Sequence, residues 1–555
     1  MMLAQMTMKC HVMEMQDETP PEQLPPPQRM TDIGNAQIEI TANPEAQMWF
    51  NQGLNLLHDF WDYESARAFE QSIRVDPECA MCYWGLYQAE SFYHSLAKDY
   101  AHEALEKALS LKARASEREQ LYLEATAAGD IAGKRSGPRS NRSKAQDLWR
   151  ELVQKYPDDT QARIFYASNL NGPEELRALE SVMKEKPNDS AANHYYIHAL
   201  EGSDHPEQAL HSAEILASLA PASGHIVHMP GHIFFRIGDY ARAERAFAES
   251  MQVDERYMKE QHVQPDNDWN YVHNLMYAVA NLMEEGKLIE ATGLSAKLGG
   301  ARGKLESTLY IYSARDSVAR LNSRLPVALR TADWALVLEL LANRAPDNSQ
   351  PHLEFLAQQL VHFAGGMRAV ETRDLVRAQE LSDKFDAELW RASQSKNDSP
   401  PQQQAKGGTR KLQLLPDARL QPELSYLSIM SLELQATLAG AQGKTAESKS
   451  LFNDAAGKEK ALGYHEPPNY IRPVGETEGA AMMAARDWAT AKEAYEQALL
   501  ERPRSGFALY GIALCTENSG DRGAATKGYK EFLAAWKDAD PGLAQVEHAK
   551  RFVSE

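Results

Sequence analysis

The sequence predicts an all-α protein built from helical hairpins. Three observations carry this reading. From residue 46 onward, alanine, leucine and aromatic residues recur at three- and four-residue steps, the spacing that gathers them on one helix face. Strand-like alternation is nearly absent. Turn signals ("DDT", "NGPEE", "GDY", "EEGK", "AQGK", "NSGD") fall every fifteen to twenty residues, room for one helix and a short loop.

The hairpins share a template. In "GETEGAAMMAARDWATAKEAYEQALLERP", Gly479 is followed by Ala491, Tyr495, Ala498 and Pro503. Ala525 and Tyr529 repeat the second half 34 residues later. Gly231, Ala243, Phe247 and Ser250 keep the order, as do Gly53, Ser65, Phe69, Ser72 and Pro77. Ala145, Trp149, Leu152 and Pro157, and again Ala209, Ala213, Leu216 and Pro221, match the second helix of a unit. Two helices approach closely only where small residues sit at the contact, and one hairpin cannot bury its apolar face alone. This pattern resembles the tetratricopeptide repeat, a 34-residue helix–turn–helix. The resemblance implies about eight to ten units between residues 46 and 535, stacked in a right-handed superhelix that can curl around a pocket.

The expected organisation follows from where the pattern breaks. Residues 1–43 are polar and rich in Pro and Gln and read as a disordered leader. Residues 44–300 form an N-terminal array. Residues 129–144, "GDIAGKRSGPRSNRSK", read as an exposed basic loop, and "GGARG", 299–303, as a flexible joint. Central helical repeats span 301–393, a low-complexity linker 394–410, and a C-terminal array 411–555. Cys79-Ala-Met-Cys82 reads as two small core residues opening a helix, with a disulfide or redox pair as the alternative.

Hydrophobic residues make up 43% of the chain and charged ones 25%, the balance of a soluble protein with ample core. The formal charge of −19 argues against a nucleic-acid partner, because phosphate binding needs a basic face. No apolar run approaches the roughly 18–20 residues of a membrane span. The N-terminal stretch lacks the continuous apolar region of a signal peptide, so the expected location is cytoplasmic, or periplasmic or exported if translation starts elsewhere. There is no phosphate loop, no GxGxxG after a strand and no CxxCH, so no nucleotide, flavin or haem is expected.

Nine of the 17 histidines lie between residues 194 and 273. His194, His198 and Glu201 share one helix face, and His225, His228 and His232 share another. With Gly231 as the eighth residue of its unit, His225, His228 and His232 take positions two, five and nine. His194, His198 and Glu201 take positions five, nine and twelve of the preceding unit, and His273 position two of the following one. The resemblance places such first-helix positions on the concave groove. Three readings stay open. The first is a Zn, Cu, Fe or Mn site built from His194, His198, His225, His228 and His232, with Glu201 as ligand or base. The second is a metal-free polar site using imidazoles as acid and base. The third is a set of structural histidines bonded to carbonyls. Trp269, Asn270 and Asn274 beside His273, and Glu466, Tyr470 and Arg472 in "GYHEPPNYIRP", are further groove candidates. His58, at position thirteen of the first unit, is another.

The segments "FNQGLNLLHDFWDYESARAFEQSIRVDPECAMCYWG", "HYYIHALE", "GHIVHMPGHIFFRIGDY", "YVHNLMYA" and "HEPPNYIRPVGETEGAAM" together resemble a family of long bacterial tetratricopeptide-repeat proteins. Its members carry a similar HxxxH helix followed by an HMPxHI helix. The resemblance spans roughly residues 46–520. It implies the scaffold and brings no activity. The expected function is a repeat protein that binds a peptide, a protein, a small molecule or a metal-held ligand in a His-lined groove. The alternatives are a metal-dependent enzyme with a multi-histidine site and a pure protein–protein scaffold.

Overall fold

The computed structural model describes residues 19–93, 100–130, 139–265, 268–302, 313–344, 351–394 and 420–555. Among these residues there is no strand, and helices follow one another from Pro44 to Ser554, each packed chiefly on its neighbours in sequence. The glycine template explains the packing. A Cβ at Gly231 would stand 2.3 Å from the Phe247 ring, and one at Gly479 would stand 2.6 Å from Tyr495. The next unit closes on the same rings, since a Cβ at Gly511 would meet Tyr495 at 2.5 Å and one at Gly85 would meet Phe69 at 2.2 Å. Tyr495 is thus clasped between two glycine-bearing helices, as is Phe69, which a Cβ at Gly53 would meet at 2.9 Å. The turns are built as the sequence suggests: Gly238 and Gly520 take left-handed φ, and Asp239 and Asp521 cap the helices that follow. The chain is an α-solenoid of tetratricopeptide type.

The helices that position the site are α1 (Pro44–His58), α2 (Ser190–Glu201), α3 (Gly224–Arg236), α4 (Tyr240–Gln261) and α5 (Trp269–Glu284). The C-terminal units fold back onto this group. The Trp536 indole donates to the Glu284 carbonyl at 2.8 Å, and the Asp540 amide to the Gly286 carbonyl at 3.1 Å. Arg330, fully buried, forks between Glu284 and Glu476. This return brings the loop around Glu466 to the histidine helices.

Several boundaries differ from expectation. Residues 19–43 are not a loose leader. Leu24, Ile33, Ala36, Ile38 and Ile40 are buried, and Asn35 accepts from the Ser190 amide and donates to the Asn188 carbonyl. Ala36, Ile38 and Ile40 alternate with exposed residues, and all five apolar side chains pack into the core against the helices. Residues 1–18 lie outside the described residues. The basic stretch 129–144 is not all loop, because a helix already runs over Arg139–Lys155, while residues 131–138 lie outside. The helix Leu288–Arg302 runs through most of "GGARG". Of the linker at 394–410, Gln394 ends a helix and the rest lies outside the described residues. Cys79 and Cys82 are joined in a disulfide rather than packed as separate thiols.

Candidate metal centre

Each site helix is started by a short polar side chain that fixes which residues turn inward. Asp189 accepts from the Ala192 amide, Ser223 from Ile226, and Asp268 from Tyr271. His194 and His198 then stand one turn apart on α2, His225, His228 and His232 on α3, and His273 on α5. They do not line an open groove. His194, His228, His232 and His273 are fully buried, His225 is 3% exposed, and the His198 side chain is 1% exposed. The rings share a closed chamber.

Five of the six rings have a partner at Nδ1, and each partner can only accept. His194 faces the His58 carbonyl at 2.6 Å, His225 the Asn270 Oδ1 at 3.2 Å and His228 the Asn274 Oδ1 at 2.6 Å. The amide orientations are set from behind. Asn274 donates to the Phe247 carbonyl at 2.8 Å, so its oxygen must face the imidazole, and Asn270 donates to Asp254 at 2.8 Å with its oxygen on His225. Glu201 takes two rings, His198 Nδ1 on Oε1 at 2.7 Å and His232 Nδ1 on Oε2 at 2.6 Å. Each Nδ1 therefore carries a hydrogen, and in the neutral ring Nε2 presents a lone pair.

Those lone pairs meet. His194 Nε2 and His198 Nε2 are 3.0 Å apart, and His228 Nε2 and His232 Nε2 are 2.6 Å apart. Two neutral acceptors do not rest at that distance unless a proton or a metal ion lies between them. His225 Nε2 and both nitrogens of His273 are buried with no hydrogen-bond partner. Burying such groups unpaired is costly, so an unmet ligand is the ordinary explanation. Donor atoms of His194, His198 and His225 lie within 4.8 Å of one another, as do those of His228, His232 and His273. Nitrogens around one tetrahedral ion, with bonds of about 2.0 Å, are roughly 3.3 Å apart, so small ring movements would close either shell.

The electrostatics favour the neutral form on three of the rings. Burial and the neighbouring imidazoles hold His225, His228 and His273 well below the ordinary histidine range, as good ligands require. Burial acts the same way on His232, but Glu466 and Glu201 outweigh it and raise that ring. Glu466 Oε2 lies 3.9 Å from His232 Nδ1 and 3.8 Å from His273 Nε2.

Of the other sequence candidates, Trp269 packs beside His225, with centroids 5.1 Å apart, and walls the chamber. Asn274, Asn270 and Glu466 join the site. Tyr470 does not: its hydroxyl donates to Glu433 and its ring packs on Tyr426. Arg472 lines a separate cavity with Trp334 and Met367. The His58 ring turns away to Tyr195 and Gln161, leaving only its carbonyl to serve the site.

Sequence reasoning missed Tyr277, whose ring lies 4.7 Å from that of His232, and Phe60. Phe60 has its ring 4.7, 5.1 and 5.7 Å from those of His194, His198 and His225. It takes φ 58° at the end of α1, where its amide bonds Leu57 and that of Trp61 bonds Leu56. That is the helix-ending motif in which glycine is usual. A bulky residue kept at a left-handed position marks a site where the side chain outweighs backbone comfort. Only "HDFW" immediately after a helical run could have signalled it.

No protein-family profile and no curated protein matches the chain. Among solved structures it is similar to yeast Tom70, with 11% identity and TM-score 0.30, covering 92% of this chain and 95% of that one. It is similar to the APC/C Cut9–Hcn1 hetero-tetramer, with 13% identity, TM-score 0.26 and coverage of 92% and 90%. It is also similar to the human IFIT1 dimer with m7Gppp-AAAA, with 10% identity, TM-score 0.30 and coverage of 90% and 97%. None of these likenesses bears on the chamber.

Proposed function

We propose that this chain is a metal-dependent helical-repeat protein that binds a transition-metal ion among the buried imidazoles and leaves it an open position for a small ligand. One observation carries the reading. Acceptor-only partners hold the Nδ1 hydrogens outward, and the Nε2 lone pairs converge on one another at 3.0 and 2.6 Å. Ligating histidines are commonly oriented in this way, with the second nitrogen bonded to a carboxylate or carbonyl. A donor set dominated by imidazole favours Zn, Cu or Fe over Mn, which prefers oxygen. A shell of three imidazoles leaves a fourth position, as in catalytic rather than structural zinc sites. The burial of the rings means that whatever meets the ion is small, which weakens the reading of a peptide held directly on the histidine wall.

The test uses full-length protein purified without a histidine tag. Elemental analysis is expected to find a bound transition metal. After chelator treatment, adding Zn(II) is expected to raise the thermal midpoint, since a ligand at about 100 times its Kd stabilises by roughly 2.7 kcal/mol. Protein that carries no metal and does not respond to Zn(II) or Cu(II) would remove this reading.

A further inference from the structure

We infer that the chamber holds two metal ions in two adjacent three-imidazole sites, generated by the repeat itself. This rests on the metal-binding reading above and adds its stoichiometry and composition. The first site is His194, His198 and His225, and the second is His228, His232 and His273.

The repeat frame supports the division. The first site takes positions five and nine of one unit and position two of the next. The second takes positions five and nine of that next unit and position two of the one after. The same donor pattern therefore occurs twice, shifted by one unit. In each copy an i, i+4 pair brings two Nε2 atoms together, at 3.0 Å in one and 2.6 Å in the other. Each copy is completed from the following helix by a ring with a buried, unpartnered nitrogen, His225 in one and His273 in the other. Two confronted pairs and two orphaned third donors are more than one ion can use, because a single tetrahedral or five-coordinate ion has no room for six imidazoles.

The two sites are coupled and unlike. His225 and His228 stand one turn apart on α3, with centroids 6.1 Å apart. Glu201 accepts from one ring of each site, so a charge change at either ion is felt through a shared carboxylate. Phe60 covers the first site, and Tyr277 and Phe247 pack on the second, 4.7 Å from the His232 ring and 5.0 Å from the His228 ring. Glu466 faces only the second, 3.8 Å from His273 Nε2. Both sites thus lie under aromatic rings, and the first is an all-imidazole pocket, suited to Cu or Zn. The second has a carboxylate beside its donors, Glu466, that can join the shell of the ion.

The experiment is metal counting on the chelator-stripped full chain, re-loaded with Zn(II), desalted and analysed for zinc. Two zinc ions per chain are expected. His225→Ala and His273→Ala are each expected to retain one, and the double variant none. Circular dichroism checks folding. Where an alanine variant is unfolded, His225→Asn or His273→Asn, which refill the space with a polar side chain, are counted instead. A single zinc in the wild type, lost with either variant, would mean one shared centre and overturn the two-site inference while leaving metal binding intact. Two zinc ions that neither variant reduces would place them elsewhere and overturn it as well. No zinc in the wild type would overturn both readings.

Discussion

Glu201 shows how much a single carboxylate controls. Its two oxygens receive the Nδ1 hydrogens of His198 and His232, so it sets the tautomer of one ring on each side of the chamber. Glutamine at this position would keep one acceptor and offer an NH2 group to the other ring. That ring would have to turn its lone pair to Nδ1 and its hydrogen to Nε2, pointing a proton at the place of the ion. Glu201→Gln should therefore weaken metal binding about 10–100-fold, the range for outer partners of ligating histidines, with little change in fold. Competition against a chelator of known affinity measures it. Unchanged affinity would mean that Glu201 serves packing and not the ion.

At the scale of helices, the same physics that made the fold readable also limits it. The glycine-to-aromatic step was legible because it repeats, and it corresponds to direct contact. Gly231→Ala, in the helix α3 that carries three of the histidines, would drive a methyl group to 2.3 Å from the Phe247 ring of α4. It should cost about 1–3 kcal/mol in urea unfolding, the usual range for overpacking. The face of each histidine was legible too, since 3.6-residue periodicity places positions five and nine together. Which ring meets which was not, because phase along one helix says nothing about its neighbour's height. Glu466 reaches His232 across more than two hundred residues of chain, and Phe60 acts from a loop-like position with no period at all. Burial also leaves a pH signature on the helix Thr445–Ala461. There burial raises Glu459 to about 8, although the Val474 amide donates to it at 3.0 Å. An acid raised in the folded state favours folding most below its unfolded value near 4.3, and that contribution is lost as pH rises towards 8. Glu459→Gln should match the wild type near pH 4 and be more stable above pH 8, by about 1 kcal/mol or more. Parallel pH–stability curves would rule this out.

For the whole molecule, what matters is how the solenoid is held closed. Glu284, at the end of α5, is the junction. Its carboxylate takes Arg330 Nε at 2.9 Å, Arg330 Nη2 at 2.8 Å and the Ser505 hydroxyl at 2.6 Å, and its carbonyl takes the Trp536 indole. Arg330 also reaches Glu476, which follows the Glu466 loop by ten residues. One buried ion cluster thus ties the histidine helices to the segment that brings the carboxylate to the second site. Removing one partner of a buried pair typically costs about 3–5 kcal/mol, because the other charge is left without compensation. Glu284→Ala should therefore loosen the C-terminal return before the histidine helices melt. Hydrogen exchange is expected to rise across residues 463–484 and 505–540, while α2 and α3 keep their protection. The pH dependence has a definite sign. Burial alone would raise Glu284, but Arg330 outweighs it and holds the carboxyl below the usual range. Its stabilisation is then complete above the unfolded value near 4.3 and is lost only as pH falls below that value through the lowered folded one. The cost of Glu284→Ala should accordingly be the same at pH 8 and pH 5.5 and shrink only in acid. A cost that faded between pH 8 and 6 would show that another group, and not this cluster, holds the two ends of the solenoid together.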